Sequence, residues 1–345
     1  MPVKYGVIGC GAIAQRRHLP EAEAYRYSKI TAVADPNEAR ASEIAEQYGA
    51  EAYTDHKQML KHADIDAAVV CGPNALHARQ SIDALRAGKH VLCEKPMATT
   101  KADCRKMIRE AKKAKQYLMV GQNQRLMPPH IKAKAILDSN AVGKPLAFRT
   151  TFKHPGPDAW SIDGAKSWFF DPEAAFMGAT GDLGVHKADL MRWMLGEDFT
   201  EVGGVITTRD KKDSKGKMLG LDDNAYLTLQ TKSGIVGSLE VSWTNYGGEE
   251  NHTIIYCTKG VIKMGFDPVF GVIVEHANGD YEQHKVGEMA TNVKQVASGV
   301  IDAFTDAIRK NKAPEIDGEE GYRAVNVILT AMDAAKEGKM LKIQY

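Results

Sequence analysis

The sequence predicts an α/β chain in two parts: a parallel sheet covered on both faces by helices, then an α+β region built on a large, mostly antiparallel sheet. Three observations carry this expectation. Short apolar runs that end in Gly-, Pro- and Asn-rich loops alternate with helical patterns through the first third of the chain. That alternation stops after about residue 124. From 202 to 274 the pattern is mostly strands joined by short turns, such as Lys232-Ser233-Gly234 and Lys259-Gly260. At 345 residues there is room for two domains of ordinary size, over 1–124 and 125–345.

Taken in order, the first strand pattern covers 3–8 and the second, 30–34, ends in Asp35. Further strands are expected at 66–71, 90–93 and 117–121, separated by helices at 75–87 and 100–115. Ligands of such sheets bind beyond the carboxyl ends of the strands, so the strand-ending loops are where chemistry is sought. A helix at 129–140 follows Pro128, and a strand at 145–153 leads into a Gly/Pro/aromatic-rich stretch, 154–180. A strongly apolar helix covers 182–195. The remaining strands are expected at 202–207, 225–231, 235–243, 253–257, 261–264 and 270–275, and two helices, 293–310 and 318–336, close the chain. The charged run 209–217 reads as a solvated loop.

Composition narrows the partners. Lys+Arg number 45 and Asp+Glu 44, which gives no reason to expect a nucleic-acid or membrane partner. Five cysteines without a Cys-x-x-Cys pair argue against a disulfide framework or a zinc site and for a reducing, cytoplasmic setting. No apolar run approaches the roughly 20 residues of a membrane span. Met1-Pro2 leads almost directly into the first strand, so a secretory leader is not expected.

The first strand runs into Gly9-x-Gly11-x-x-Ala14, with Ala12 and Ile13 completing the turn. Gly9 allows a tight strand-to-helix turn, Gly11 lets the backbone approach a pyrophosphate, and Ala14 is small enough for close helix–strand packing. The pyrophosphate then sits on the positive end of the helix. Asp35 falls at the distance where a carboxylate reaches ribose hydroxyls. It would repel a 2′-phosphate, so NAD is expected rather than NADP, although Arg40 lies nearby in sequence. Gly72-Pro73-Asn74 reads either as a plain turn or as a cofactor contact, with His77 one helical turn on.

Two further places carry chemistry. On an ideal helix over 182–195, Asp182, His186 and Asp189 share one narrow stripe, with apolar residues around most of the rest. A carboxylate and an imidazole one turn apart on a buried helix must be paired or face a cleft. They form either a general acid/base pair, with Asp182 favoured by the helix start, or a core histidine bonded to Asp182 for structure alone. Directly after the strand 90–93 come Glu94-Lys95-Pro96. Beside a nicotinamide, Lys95 would stabilise developing charge on an alcohol oxygen, with Glu94 holding it; otherwise the segment is surface loop. The aromatic stretch offers Trp160, Asp163, Lys166 and Trp168 either for stacking and hydrogen bonding to a ligand or for loop packing.

Taken together, Gly9-x-Gly11-x-x-Ala14, Pro73-Asn74-x-x-His77, Glu94-Lys95-Pro96 and Gly181-Asp182-x-Gly184-x-His186-x-x-Asp189 resemble the glucose–fructose oxidoreductase / inositol dehydrogenase (Gfo/Idh/MocA) family over essentially the full length. The resemblance implies an N-terminal Rossmann domain and a C-terminal domain whose open sheet forms a homodimer or homotetramer interface. It also implies a cis Lys95–Pro96 peptide and Lys95, Asp182 and His186 as the catalytic trio. Substrate contacts to Lys95, Trp168, Asp182, His186 and Tyr246 follow from the same likeness, as do cofactor contacts to Pro73, Asn74, His77, Glu94 and Lys95. The chain departs from the family where Phe169 stands at a usual arginine and where Phe176 and Met177 replace glycines, which puts cofactor contacts and pocket shape in question. The expected activity is NAD-dependent oxidation or reduction of a secondary alcohol on a sugar, polyol or inositol. The alternatives are an NAD-dependent glycosidase of the same fold and a non-catalytic NAD- or sugar-binding regulator.

Overall fold

The computed structural model describes residues 1–213, 215–287 and 297–345. The chain begins with β1 Val3–Ile8, a π-helical turn Ala14–His18, α1 Leu19–Ala24, β2 Ser28–Ala34, α2 Glu38–Tyr48 and β3 Glu51–Tyr53. It continues through α3 His56–His62, β4 Ala67–Val70, α4 Asn74–Arg86, β5 His90–Cys93, α5 Lys101–Ala114 and β6 Leu118–Val120. A 3₁₀ turn Asn123–Leu126, α6 Pro128–Asp138, β7 Pro145–Lys153 and α7 Pro172–Ala175 come next. A second π-turn, Thr180–Gly184, runs straight into α8 Val185–Leu195. Then follow β8 Phe199–Thr207, β9 Asn224–Thr231, β10 Val236–Ser242, β11 Glu250–Cys257, β12 Gly260–Met264, β13 Val272–His276 and β14 Tyr281–His284. The chain closes with α9 Val300–Arg309, α10 Gly318–Glu337 and β15 Leu341–Lys342.

These elements form two compact units. The first comprises Met1–Gln122 with Glu173–Phe176 and Ala297–Tyr322; the second comprises Asn123–Pro172, the described residues of Met177–Val296, and Arg323–Tyr345.

The first unit carries a six-stranded parallel sheet in the order β3-β2-β1-β4-β5-β6. Strands β4 and β5 are buried almost throughout, as a parallel sheet with helices on both faces requires. Helix α5 shows how such a cover forms: Cys104, Met107, Ile108 and Ala111, at one-turn spacings, are its buried stripe. Thr100 caps its first turn by accepting from the Asp103 amide. Tyr5 packs beside Phe304 of α9 and shares a 2.7 Å hydrogen bond with Thr305, so α9 belongs to this sheet's cover.

The second unit carries a nine-stranded sheet in the order β14-β13-β12-β11-β7-β10-β9-β8-β15. It is antiparallel except where β10 runs parallel to β7. Alternate residues of β7 and β11 are buried, and α8 with the π-turn before it lies over β7, β9 and β10.

Several expectations are corrected. The segment 182–195 is not one α-helix, because its first turn is a π-turn, which narrows the angular step per residue and breaks the ideal stripe. Strands β3, β14 and β15 and helix α3 escaped the sequence reading because they are short or lie at sheet edges, and α2 because its buried face is only Ala41, Ile44 and Ala45. The helix expected over 293–310 is seen as Val300–Arg309, and residues 293–296 of that expectation lie outside the described residues. No helix among the described residues is long and apolar enough to cross a membrane.

Candidate active site

In the first unit, the strand order reverses between β1 and β4, and the loops leaving β1, β4 and β5 bring the sequence motifs together. Gly9 has φ +92°, and a Cβ there would stand 2.9 Å from the Cys71 and Gly72 backbone. Only glycine tolerates both the conformation and the approach. Over Gly11 a Cβ would meet nothing within 4 Å, which leaves that backbone open to a ligand. Ala14 is buried at the start of the π-turn. Asp35 closes the turn from the other side: its carboxylate accepts from the Cys10 and Asn37 amides, each at 2.9 Å, and Arg40 lies 3.8 Å away. A glycine cradle, a helical turn and a held acid fit a dinucleotide.

Around this cradle the other candidates are tied to the protein itself. Pro73 stands at the N-cap of α4, and the Asn74 amide donates to Ala175 O at 3.0 Å. The His77 ring bridges Pro96 O at 2.7 Å and Gly72 O at 2.8 Å. Burial pushes its imidazole down, and a neutral ring donates to one of those carbonyls at a time. His77 thus fastens the β4 loop to the β5 loop.

Glu94 is buried, and its carboxylate accepts from His18 Nε2 at 2.7 Å and from the Lys95 amide at 3.0 Å. Arg17 stands 3.8 Å off. Burial alone would push this carboxyl up, but the His18 hydrogen bond and the charges of His18, Arg17 and Lys95 hold it well below its usual range. Gly121 makes the space, since a Cβ there would lie 3.0 Å from Glu94 Oε1. Lys95 is half-buried, and the Lys95–Pro96 peptide is cis.

The second unit holds the other group. Asp182 sits inside the Thr180–Gly184 π-turn and is 4% exposed. Its Oδ2 accepts from Trp243 Nε1 at 3.0 Å and lies 3.4 Å from His154 Nε2. His186 is 6% exposed, with its ring 6.1 Å from that of Phe152. Asp189, expected on the same stripe, instead takes a two-point ion pair from Arg125 at 2.6 and 2.7 Å. A deep carboxylate flanked by imidazole and indole, four residues before a second buried imidazole in the chain, is equipped to hold and move a proton.

The turn that aims Asp182 is itself anchored. Asp222 accepts from Gly178 N, Thr180 N and Thr180 Oγ1 at 2.7–2.9 Å. Gly178 has no alternative, because a Cβ there would fall 1.7 Å from Asp222 O. Phe176 adopts φ +64°, so it keeps the left-handed backbone a glycine would favour, and Met177 is buried against Gly181. Trp168 stacks on Phe169 with ring centroids 3.9 Å apart. Tyr246 is 60% exposed, and its hydroxyl donates to Asp210.

His154, Trp243, Arg125, Asp222, Arg17 and His18 were not singled out by sequence. His154 ends a strand before a Gly/Pro loop, and Asp222 stands in an Asp-Asp-Asn run before another, which are the signals that pointed toward them.

Residues 3–122 match a family described as "Oxidoreductase family, NAD-binding Rossmann fold", and residues 130–263 match the "GFO/IDH/MocA C-terminal domain". An inositol 2-dehydrogenase/D-chiro-inositol 3-dehydrogenase of Shouchella clausii is 30% identical, over 100% of this chain and 95% of its own. A myo-inositol 2-dehydrogenase of Thermotoga maritima is 27% identical over 99% of both chains. The crystal structure of an aldose-aldose oxidoreductase from Caulobacter crescentus, complexed with glycerol, superposes with TM-score 0.85 at 25% identity, covering 99% of this chain and 100% of that one. Fold and motifs together define an NAD-binding oxidoreductase. The chain belongs to the Gfo/Idh/MocA family.

Proposed function

We propose that the protein transfers a hydride between a secondary alcohol of a sugar, polyol or inositol and NAD, with Lys95, Asp182 and His186 as the acting residues. The observation that carries this reading is the buried Asp182, held by Trp243 and close to His154, on the turn that leads directly to His186. The similarity to inositol and aldose oxidoreductases supports the substrate class. When bound, NAD supplies the nicotinamide that accepts the hydride. His186 takes the hydroxyl proton as the alcohol is oxidised. Lys95 donates a hydrogen bond to the same oxygen and steadies its developing charge. Asp182 orients the proton acceptor, and Glu94 fixes the Lys95 backbone from below. Gly9, Gly11, Ala12, Ile13, Ala14 and Asp35 hold the dinucleotide, and Asp35 favours NAD over NADP. Trp168 and Tyr246 border the sugar.

The substrate domain is also the oligomer-forming one in this reading. Val205, Tyr226 and Val236, on three adjacent strands and on the face away from the buried side chains, are each more than 40% exposed, which suits a homodimer or homotetramer built on the sheet. All five cysteines are free thiols, consistent with a cytoplasmic setting.

The test is a panel of sugars and inositols offered with NAD and with NADP, read by nicotinamide reduction. Turnover with NAD is expected, falling about 10²- to 10⁴-fold in Lys95→Ala and His186→Ala. Undiminished turnover in both variants would refute the mechanism. Retained NAD with no net reduction across the panel would point to the elimination chemistry of a glycosidase instead.

A further inference from the structure

In the charged run between β8 and β9 the other described charged residues are exposed or half-buried, as its composition suggests, but Lys211 turns inward. Asp223, fully buried, accepts at 2.8–2.9 Å from the amides of Arg209, Asp210 and Lys211 and from the Asn224 side chain. Burial would push its carboxyl up, but these donors hold it low. Lys211 is buried too, and its ammonium reaches both oxygens of Asp158, at 2.8 and 3.0 Å, in the turn Pro157–Ala159. Gly156 makes this approach feasible. Its φ is +110°, and a Cβ there would lie 2.7 Å from both Asp158 Oδ1 and Lys211 Cε.

The contact continues into the candidate catalytic group. The Gly156 amide donates to His154 Nδ1 at 2.9 Å. With Nδ1 an acceptor, the neutral imidazole carries its proton on Nε2, the nitrogen 3.4 Å from Asp182 Oδ2. On the other side, the Lys211 ammonium lies 5.2 Å over the Tyr246 ring, whose hydroxyl donates to Asp210. The circuit closes through Trp243, which donates its backbone N–H to Asp223 O at 2.8 Å and its indole N–H to Asp182.

We propose that Lys211 and Asp158 form a clasp that fastens the β8–β9 loop to the 154–170 segment, making Lys211 a positioning residue for His154 and Asp182 and a determinant of sugar recognition. The inference rests on the function proposed above. An ion pair on a mobile surface contributes little, but here one partner is buried and the chain between the pair and Asp182 is continuous. Without the clasp, Gly156 no longer presents its amide to His154, and the aromatic wall holding Trp160 and Trp168 loses its tie to Tyr246.

The experiment uses the full chain and four variants: Lys211→Met, Asp158→Asn, Lys211→Arg, and the charge-swapped pair Lys211→Asp with Asp158→Lys. Hydrogen exchange is followed across the chain, and kcat and KM are measured against pH for the best substrate of the panel. Lys211→Met and Asp158→Asn are expected to speed exchange in 154–170 and to raise KM about tenfold, with the NAD dissociation constant unchanged. Lys211→Arg and the swapped pair recover most of both effects. Unchanged exchange in 154–170, exchange spread through the whole sheet, or a lowered Tm with an unaltered KM and pH profile would overturn the clasp. If the native chain oxidises none of the sugars, the proposed function fails by itself, and the exchange experiment alone decides the clasp.

Discussion

The two units handle buried charge in different ways. In the first, Glu94 meets its partners where neighbouring βα turns converge: Lys95 supplies the next amide, and Arg17 and His18 lie on the turn after β1. Sequence distance does not separate the units, since His18 and Glu94 are 76 residues apart; in the second, the partners come from turns, a helix and a strand rather than from successive βα turns of one sheet. Arg125 and Asp189 are 64 residues apart, as are Lys187 and Asn251, and Asp222 reaches back 44 residues to the Gly178 amide. The parallel sheet collects its polar groups at one edge by topology. The mixed sheet has to assemble them through long-range packing.

The sharpest way to break this comparison is to block the two special glycines. Gly178→Ala places a methyl 1.7 Å from a backbone oxygen, so a loss of about 4 kcal/mol or more is expected in urea unfolding. Gly9→Ala, at φ +92° with contacts of 2.9 Å, should cost about 2–3 kcal/mol and abolish measurable NAD binding in titration. Equal, negligible losses would mean that neither turn is constrained as described.

Next in size is the contrast between two buried carboxyls. Glu94→Gln strands Arg17 and His18 and is expected to cost about 3 kcal/mol at neutral pH. Because the folded Glu94 is held below its ordinary value of 4.5, its stabilisation is present above that value and lost as pH falls through the folded one. Asp222 has the opposite sign. Burial raises it above 3.8, so its contribution is full below that value and fades as pH rises through the folded one. Unfolding curves against pH should therefore lose their acid limb in Glu94→Gln and keep it in Asp222→Asn.

The effect spread over the widest pH range concerns Lys187, fully buried with its ammonium 2.5 Å from Asn251 Oδ1 and 3.4 Å from Thr253 Oγ1. Burial pushes it down from 10.5 to about 7. Between those values the unfolded chain holds a proton the folded one lacks, so stability rises with pH by about 1.4 kcal/mol per unit. Lys187→Met should flatten that slope, and an unaltered slope would show that Lys187 stays charged inside the protein.

Legibility in the sequence follows the same division. Gly9, Gly11 and Ala14 could be read because a tight turn with close packing restricts residue type at short, fixed spacing. Asp35 and Lys95 could be read because each directly follows a strand. The order of the motifs pointed to the family and to the cis peptide now seen at Lys95–Pro96. The stripe of Asp182, His186 and Asp189 was legible only as composition, since the π-turn redirects the first residue and Arg125 claims the last. The reading of 209–217 as solvated holds at Arg209, Asp210, Lys212, Lys215 and Lys217, and fails at Lys211, which Asp223 and Asp158 hold inward.

The sequence by itself determined the two-part α/β architecture, the glycine cradle, its acid and the strand-end lysine, each of which is marked by a pattern of residue types along the chain. Only the tertiary structure decided that His154 and Trp243 meet Asp182, that Asp222 aims its turn, and that Lys211 belongs to the same network. Those contacts join segments separated by tens of residues. Their energy appears only once sheet register and helix placement bring buried polar groups within hydrogen-bond reach, and no local pattern records that distance.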